Sequence, residues 1–129
     1  MAYYLDTSAA VKLIVAEQES APLSAWMSDR ELVSSDLLRV ELIRAVRLHD
    51  EAVRRQARLV LEAVDLIRIT PQVCDLAAEL DPHVLRSLDA LHCATALSLG
   101  VDLEGVVCYD RRMQEACRVL GLTVESPGA

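Results

Sequence analysis

Five short apolar runs recur along the chain, with stretches of helical spacing between them. The runs are AYYL at 2–5, ELVS at 31–34, LIRI at 66–69, GVVCY at 105–109 and LTVE at 122–125. Helices are expected over 7–16, 19–28, 36–49, about 50–64, 71–80 and 87–99, with a short one after Asp110 that stops at Gly121. In the long segment DLLRVELIRAVRLH, Leu38, Leu42, Ala45 and Val46 recur at the spacing of one helix face. Ser35 and Ser87 read as caps, Thr70-Pro71 as a helix start, and Gly100 as a helix end. Short strands alternating with helices require crossover connections, hence an α/β fold with a parallel sheet flanked by helices. There is no repeat, low-complexity segment or linker, so residues 1–129 read as a single domain, with SPGA at 126–129 as a loose tail. In such folds ligands bind beyond the carboxyl ends of the strands, where the strand order reverses.

Composition narrows the partners. Apolar residues make up 53% of the chain, mostly Leu, Val and Ala, with no Phe and one Trp, so the core is aliphatic. A net charge of −7 and a pI near 4.9 argue against a broad basic face for nucleic acid. A local patch remains open. All but one (Lys12) of the 13 basic residues are Arg, and Arg39, Arg44, Arg47, Arg54, Arg55 and Arg58 fall close together. The planar guanidinium suits phosphate, although a solvated helix face explains the same run. Cys74, Cys93, Cys108 and Cys117 form no CxxC pair and sit among apolar neighbours, as buried free thiols of a reducing compartment do. No signal peptide or membrane-spanning run is present, which makes a cytoplasmic location the default and excludes a membrane role.

Four carboxylates stand where apolar sequence makes them costly. Asp6 ends the first run, Glu41 interrupts LLRVELI, Asp89 opens SLDALHCATAL, and Asp110 follows VVCY. Each has a structural explanation. Asp6 and Asp110 serve as helix N-caps, Asp89 suits the positive end of a helix dipole, and Glu41 has Arg44 at i+3. Together, however, clustered carboxylates repel, and one takes up a proton unless a cation lies between them. Hard cations such as Mg2+ or Mn2+ prefer this donor set, and phosphoryl transfer is the chemistry that most often uses it. Thr7 and Ser8 add hydroxyls that orient a carboxylate or simply cap the helix. His92, one turn after Asp89, reads either as a substrate contact or as a satisfied surface or core histidine. No Gly precedes position 100, which excludes a P-loop or dinucleotide turn after the first strand, and no GxSxG elbow is present.

These residues carry a family resemblance. YLDTSA, the Glu within LLRVELIRA, SLDALHCATAL and VCYDRRM, in this order from about residue 3 to 125, resemble the PIN-domain family. More narrowly they resemble VapC-type toxins of bacterial type II toxin–antitoxin pairs. The resemblance implies a three-layer α/β/α fold with a five-stranded parallel sheet of order 3-2-1-4-5. It implies a Mg2+- or Mn2+-dependent endoribonuclease acting on structured RNA, tRNA or ribosomal RNA, with Asp6, Glu41, Asp89 and Asp110 as the catalytic and metal-binding quartet. Ser8 matches the hydroxyl that commonly follows the first Asp; Cys108 departs from the Thr or Ser usual two residues before the last. The implied partners are a VapB-type antitoxin whose C-terminal segment crosses the groove, a second copy in a homodimer, and hetero-oligomers of toxin and antitoxin. RNA contact would fall to Arg39, Arg44, Arg47, Arg86, Arg111 and Arg112. Of these, Arg111 and Arg112 follow Asp110 at a helix start, where basic residues gain nothing from the dipole. A DNA nuclease on the same site, a non-catalytic PIN-like module and a small-ligand sensor are the competing readings.

Overall fold

A computed structural model describes residues 1–129. One five-stranded parallel sheet runs β3-β2-β1-β4-β5, built from β1 (Ala2–Leu5), β2 (Glu31–Ser35), β3 (Asp65–Ile67), β4 (Leu103–Val107) and β5 (Val124–Glu125). Seven α-helices connect them: α1 (Thr7–Lys12), α2 (Ser20–Met27), α3 (Leu37–Val46), α4 (Glu51–Ala63), α5 (Pro71–Glu79), α6 (Ser87–Ser98) and α7 (Arg111–Val119). A 3-10 turn at Gly100–Asp102 leads into β4.

Alternation along β1 divides the core. Leu5 joins Ala9, Ala10, Leu23, Leu38, Leu42, Val46, Ala57 and Val107 on the side of α1 to α4. Ala2 and Tyr4 join Val33, Cys93, Ala96, Val106, Met113, Ala116 and Cys117 on the side of α6 and α7. Both faces of the sheet are therefore covered, giving the three layers and the strand order that the family resemblance implies. The lone Trp26 stands on α2, its ring meeting Tyr3 edge-on at 4.7 Å and the Arg30 guanidinium at 4.2 Å.

Several local expectations are corrected. The first helix ends at Lys12 rather than residue 16, because the Ser20 hydroxyl takes the Lys12 carbonyl at 2.6 Å and the next amides bond three residues back. Ser87 is not the cap of α6 but its first helical residue. Extended Arg86 precedes it and offers no side-chain cap. Cys74 is exposed on α5, unlike the three buried thiols. The last four residues are not loose. Tyr109 donates to the Pro127 carbonyl at 2.7 Å, and Ser126 donates to the Cys108 carbonyl at 2.7 Å. Gly128 adopts φ +80, and a Cβ there would stand 2.8 Å from Pro22.

Candidate active site

β1 and β4 are neighbours, and the chain order reverses between them, since β2 and β3 lie beyond β1 and β5 beyond β4. This is the position at which a parallel α/β sheet opens a crevice. Asp6 follows β1 and caps α1; Asp110 follows β4 and caps α7. The capping role read from the sequence is thus real for both, and it fixes both carboxylates at the mouth of the crevice. The Ser8 hydroxyl ties the two corners together, donating to Asp6 Oδ2 at 2.6 Å and accepting from the Tyr109 amide at 3.0 Å. Cys108, buried, donates its thiol weakly to the same Asp6 oxygen at 3.5 Å, in the place of the expected hydroxyl.

Glu41 enters from α3. Its Oε1 accepts from the Thr7 hydroxyl at 2.9 Å and lies 2.5 Å from His92 Nε2. The Arg44 pair expected from spacing is absent, because Glu41 turns inward to His92. Asp89 enters from the first turn of α6, where Arg86 Nε approaches its Oδ2 at 3.5 Å. Burial raises the Asp89 pKa; Arg86 pulls it down, and the charges of Asp6 and Asp110 push it up, leaving it above the ordinary carboxylate value. Asp89 therefore feels both strand-end acids. Burial also works to raise Glu41, but the hydrogen bond and charge of His92, and then Thr7, bring it below its ordinary value. His92 moves the other way. Burial opposes its charging, yet the Glu41 hydrogen bond and the fields of Asp6, Glu41 and Asp89 raise its pKa.

The four acids share a pattern. The protein engages one oxygen of each, namely Asp6 Oδ2, Glu41 Oε1, Asp89 Oδ2 and Asp110 Oδ1. Each second oxygen has no protein partner. As the side chains stand, no group of three or more His, Cys, Asp or Glu residues is gathered tightly enough to hold an ion, so the acids line the crevice rather than form a closed cage.

Two clefts meet at Asp89. One, of about 470 Å³, is lined by Val84, Leu85, Arg86, Asp89, Arg112 and Glu115, among others; the second, of about 390 Å³, by Glu41, Arg86, Ser87, Leu88 and Asp89. Arg86 and Arg112 are thus beside the acids. Arg44, Arg47 and Arg111 are exposed, whereas Arg39 pairs with Asp36 and lines a separate depression with Arg58 and Glu62 that contains none of the four acids. Local sequence allows His92 either a substrate contact or a place in the core, and it gives Tyr4 no role. The structure buries both and joins Tyr4 Oη to His92 Nδ1 at 2.6 Å. The only local signal was a polar ring in the apolar half of α6.

The PIN domain family profile matches residues 3–119, and the chain belongs to that family. Within it, the chain is similar to VapC proteins of Mycobacterium tuberculosis. Ribonuclease VapC46 is 46% identical over 127 residues, covering 98% of each chain. Ribonuclease VapC35 is 42% identical over 130 residues, covering 97% of this chain and 96% of that one. In fold, the chain resembles a structure of VapBC2 from Rickettsia felis bound to a DNA fragment from their promoter. That likeness has a TM-score of 0.70 at 16% identity over 97% of this chain and 98% of the other.

Proposed function

We propose that this chain is the toxin of a type II toxin–antitoxin pair, an endoribonuclease that hydrolyses phosphodiester bonds of structured RNA, tRNA or ribosomal RNA, with Mg2+ or Mn2+. A cognate VapB-type antitoxin restrains it. The observation that carries this reading is the placement of Asp6 and Asp110 at adjacent strand ends, with Asp89 held in the field of both. The relatives named as VapC ribonucleases support the activity, and the fold shared with VapBC2 of Rickettsia felis agrees with a VapB-type partner.

The donor set fits a hard divalent cation. It is all carboxylate, each member has one oxygen held and one unengaged, and the burial of Asp89 together with the charges of Asp6 and Asp110 beside it is what a cation offsets. Asp6, Glu41, Asp89 and Asp110 would hold it. When bound, the ion supplies Lewis acidity that activates water and offsets charge on the phosphate. The chain's own residues do the rest. Ser8 and Cys108 hold Asp6, and Thr7 holds Glu41, so the free oxygens keep their aim. Arg86 and Arg112 flank Asp89 and meet the phosphates on either side of the scissile bond, whose 3′-oxygen leaves. Tyr109 commits its hydroxyl to the tail and its ring to Lys12, so no base-stacking platform opens there, and recognition rests on shape and phosphate contacts.

The test is cleavage of structured RNA in Mg2+ by wild type and Asp6→Asn, with single-stranded DNA alongside. The expected result is RNA cleavage by wild type only, with the variant folded as judged by circular dichroism. Undiminished RNA cleavage by Asp6→Asn, or cleavage confined to DNA, overturns the reading.

A further inference from the structure

His92 is fully buried in the middle of α6, and the mechanism above gives it no direct part. Both of its ring nitrogens are occupied. Tyr4 Oη lies 2.6 Å from Nδ1, and Glu41 Oε1 lies 2.5 Å from Nε2. The chain thus runs from β1 through α6 to α3, and its links join residues 88 and 51 positions apart. A carboxylate only accepts hydrogen bonds, so Nε2 carries a proton. With a neutral ring, Nδ1 then accepts from the Tyr4 hydroxyl; with a charged ring, Nδ1 donates to it. Either state delivers the same Nε2–H to Glu41.

Thr7 donates to that same Oε1 at 2.9 Å. Two donors therefore converge on one carboxylate oxygen. We propose that His92, braced by Tyr4, is a positioning residue that anchors Oε1 of Glu41 so that Oε2 is presented to the acid crevice as a preset ligand. This rests on the metal-dependent reading above. It explains why a polar ring stands at 0% exposure among the buried Ala90, Cys93, Ala94 and Ala96 of α6, where the one other buried polar side chain, Thr95, is satisfied within the helix by the Leu91 carbonyl. Groups that orient ligands in this way are typically worth about 10- to 100-fold in metal affinity.

Two substitutions separate the hydrogen bond from mere loss of the ring. The amide of His92→Gln can stand where Nε2 stands and still reach Glu41. The shorter amide of His92→Asn stands where Nδ1 stands and reaches only Tyr4. Both replace a buried imidazole with a neutral amide, so both carry a comparable folding cost. The measurement is Mn2+ binding by the RNA-free protein, by titration calorimetry, with thermal melts to show that each variant is folded.

His92→Gln should bind Mn2+ within about threefold of wild type, and His92→Asn about 10- to 100-fold more weakly. Glu41→Gln should match or exceed the loss in His92→Asn. Folded Gln and Asn variants that bind Mn2+ equally would overturn the proposal alone. A wild-type protein that binds no Mn2+, or a Glu41→Gln variant that binds as wild type, would overturn the metal-site reading and this proposal with it. If His92→Asn does not fold, Tyr4→Phe serves in its place. It keeps the ring and removes the brace, and wild-type Mn2+ affinity in it would overturn the role of Tyr4.

Discussion

Cys108 occupies the position at which a hydroxyl was expected, and it shows how little chemistry that position demands. Its thiol faces Asp6 Oδ2 and the Asp110 carbonyl, both at 3.5 Å, so it still has acceptors to donate to. Burial comes first, then the charge of Asp6, in pushing its pKa well above the ordinary thiol value, so it stays a neutral donor. Cys108→Ser keeps a donor facing the same two acceptors, and RNA cleavage should stay within about fivefold of wild type, a difference of about 1 kcal/mol. Cys108→Ala removes the donor and opens space, and should lower unfolding free energy by about 1–2 kcal/mol in a denaturant melt. Equal stability of the two variants would contradict this account. The same scale shows where local reading failed. Spacing on α3 pointed Glu41 toward Arg44, but its partner is His92, 51 positions away, and no helical periodicity encodes that contact.

Helix N-caps supply two of the four acids, Asp6 and Asp110, and capping is separable from charge. Asp110 accepts from the amides of Arg112 and Met113, at 2.9 and 3.4 Å. Asn caps as well as Asp, so Asp110→Asn should keep stability within about 0.5 kcal/mol while RNA cleavage falls to background. The control is Asp50, which caps α4 through the Val53 amide at 3.0 Å and lies on no wall of the acid clefts. Asp50→Ala should cost about 1 kcal/mol of stability and leave cleavage unchanged. Strands, helix order and the acids at strand ends were legible because they depend on nearest neighbours, namely apolar runs, Thr70-Pro71 and Gly100. Boundaries were less so. Ser87 has the right chemistry for a cap, yet the backbone turns helical one residue earlier than that chemistry implies. SPGA has a tail's composition, yet Tyr109, Ser126 and Gly128 pack it against α2 and the β4–α7 corner, through contacts that sequence spacing does not reveal.

Across the whole molecule, whose net charge is −7, four of the 20 acids line one crevice between the two halves of the sheet. A cation that binds only the folded state there adds stability by mass action. Mn2+ at 100 times its dissociation constant contributes about 2.7 kcal/mol. For a chain of 129 residues this raises Tm on the order of 10 °C. Chelation should return Tm to its starting value, and Asp6→Asn should show no rise; an equal rise in that variant would place the cation elsewhere. Such melts have a convenient optical handle. Trp26 is the sole indole, wedged between Tyr3 and Arg30 on a helix that contributes none of the acids. Its emission reports the intactness of the β1–α2 contact, so fluorescence can follow unfolding while RNA labels follow the crevice, two channels in one tube with no engineered dye on the protein.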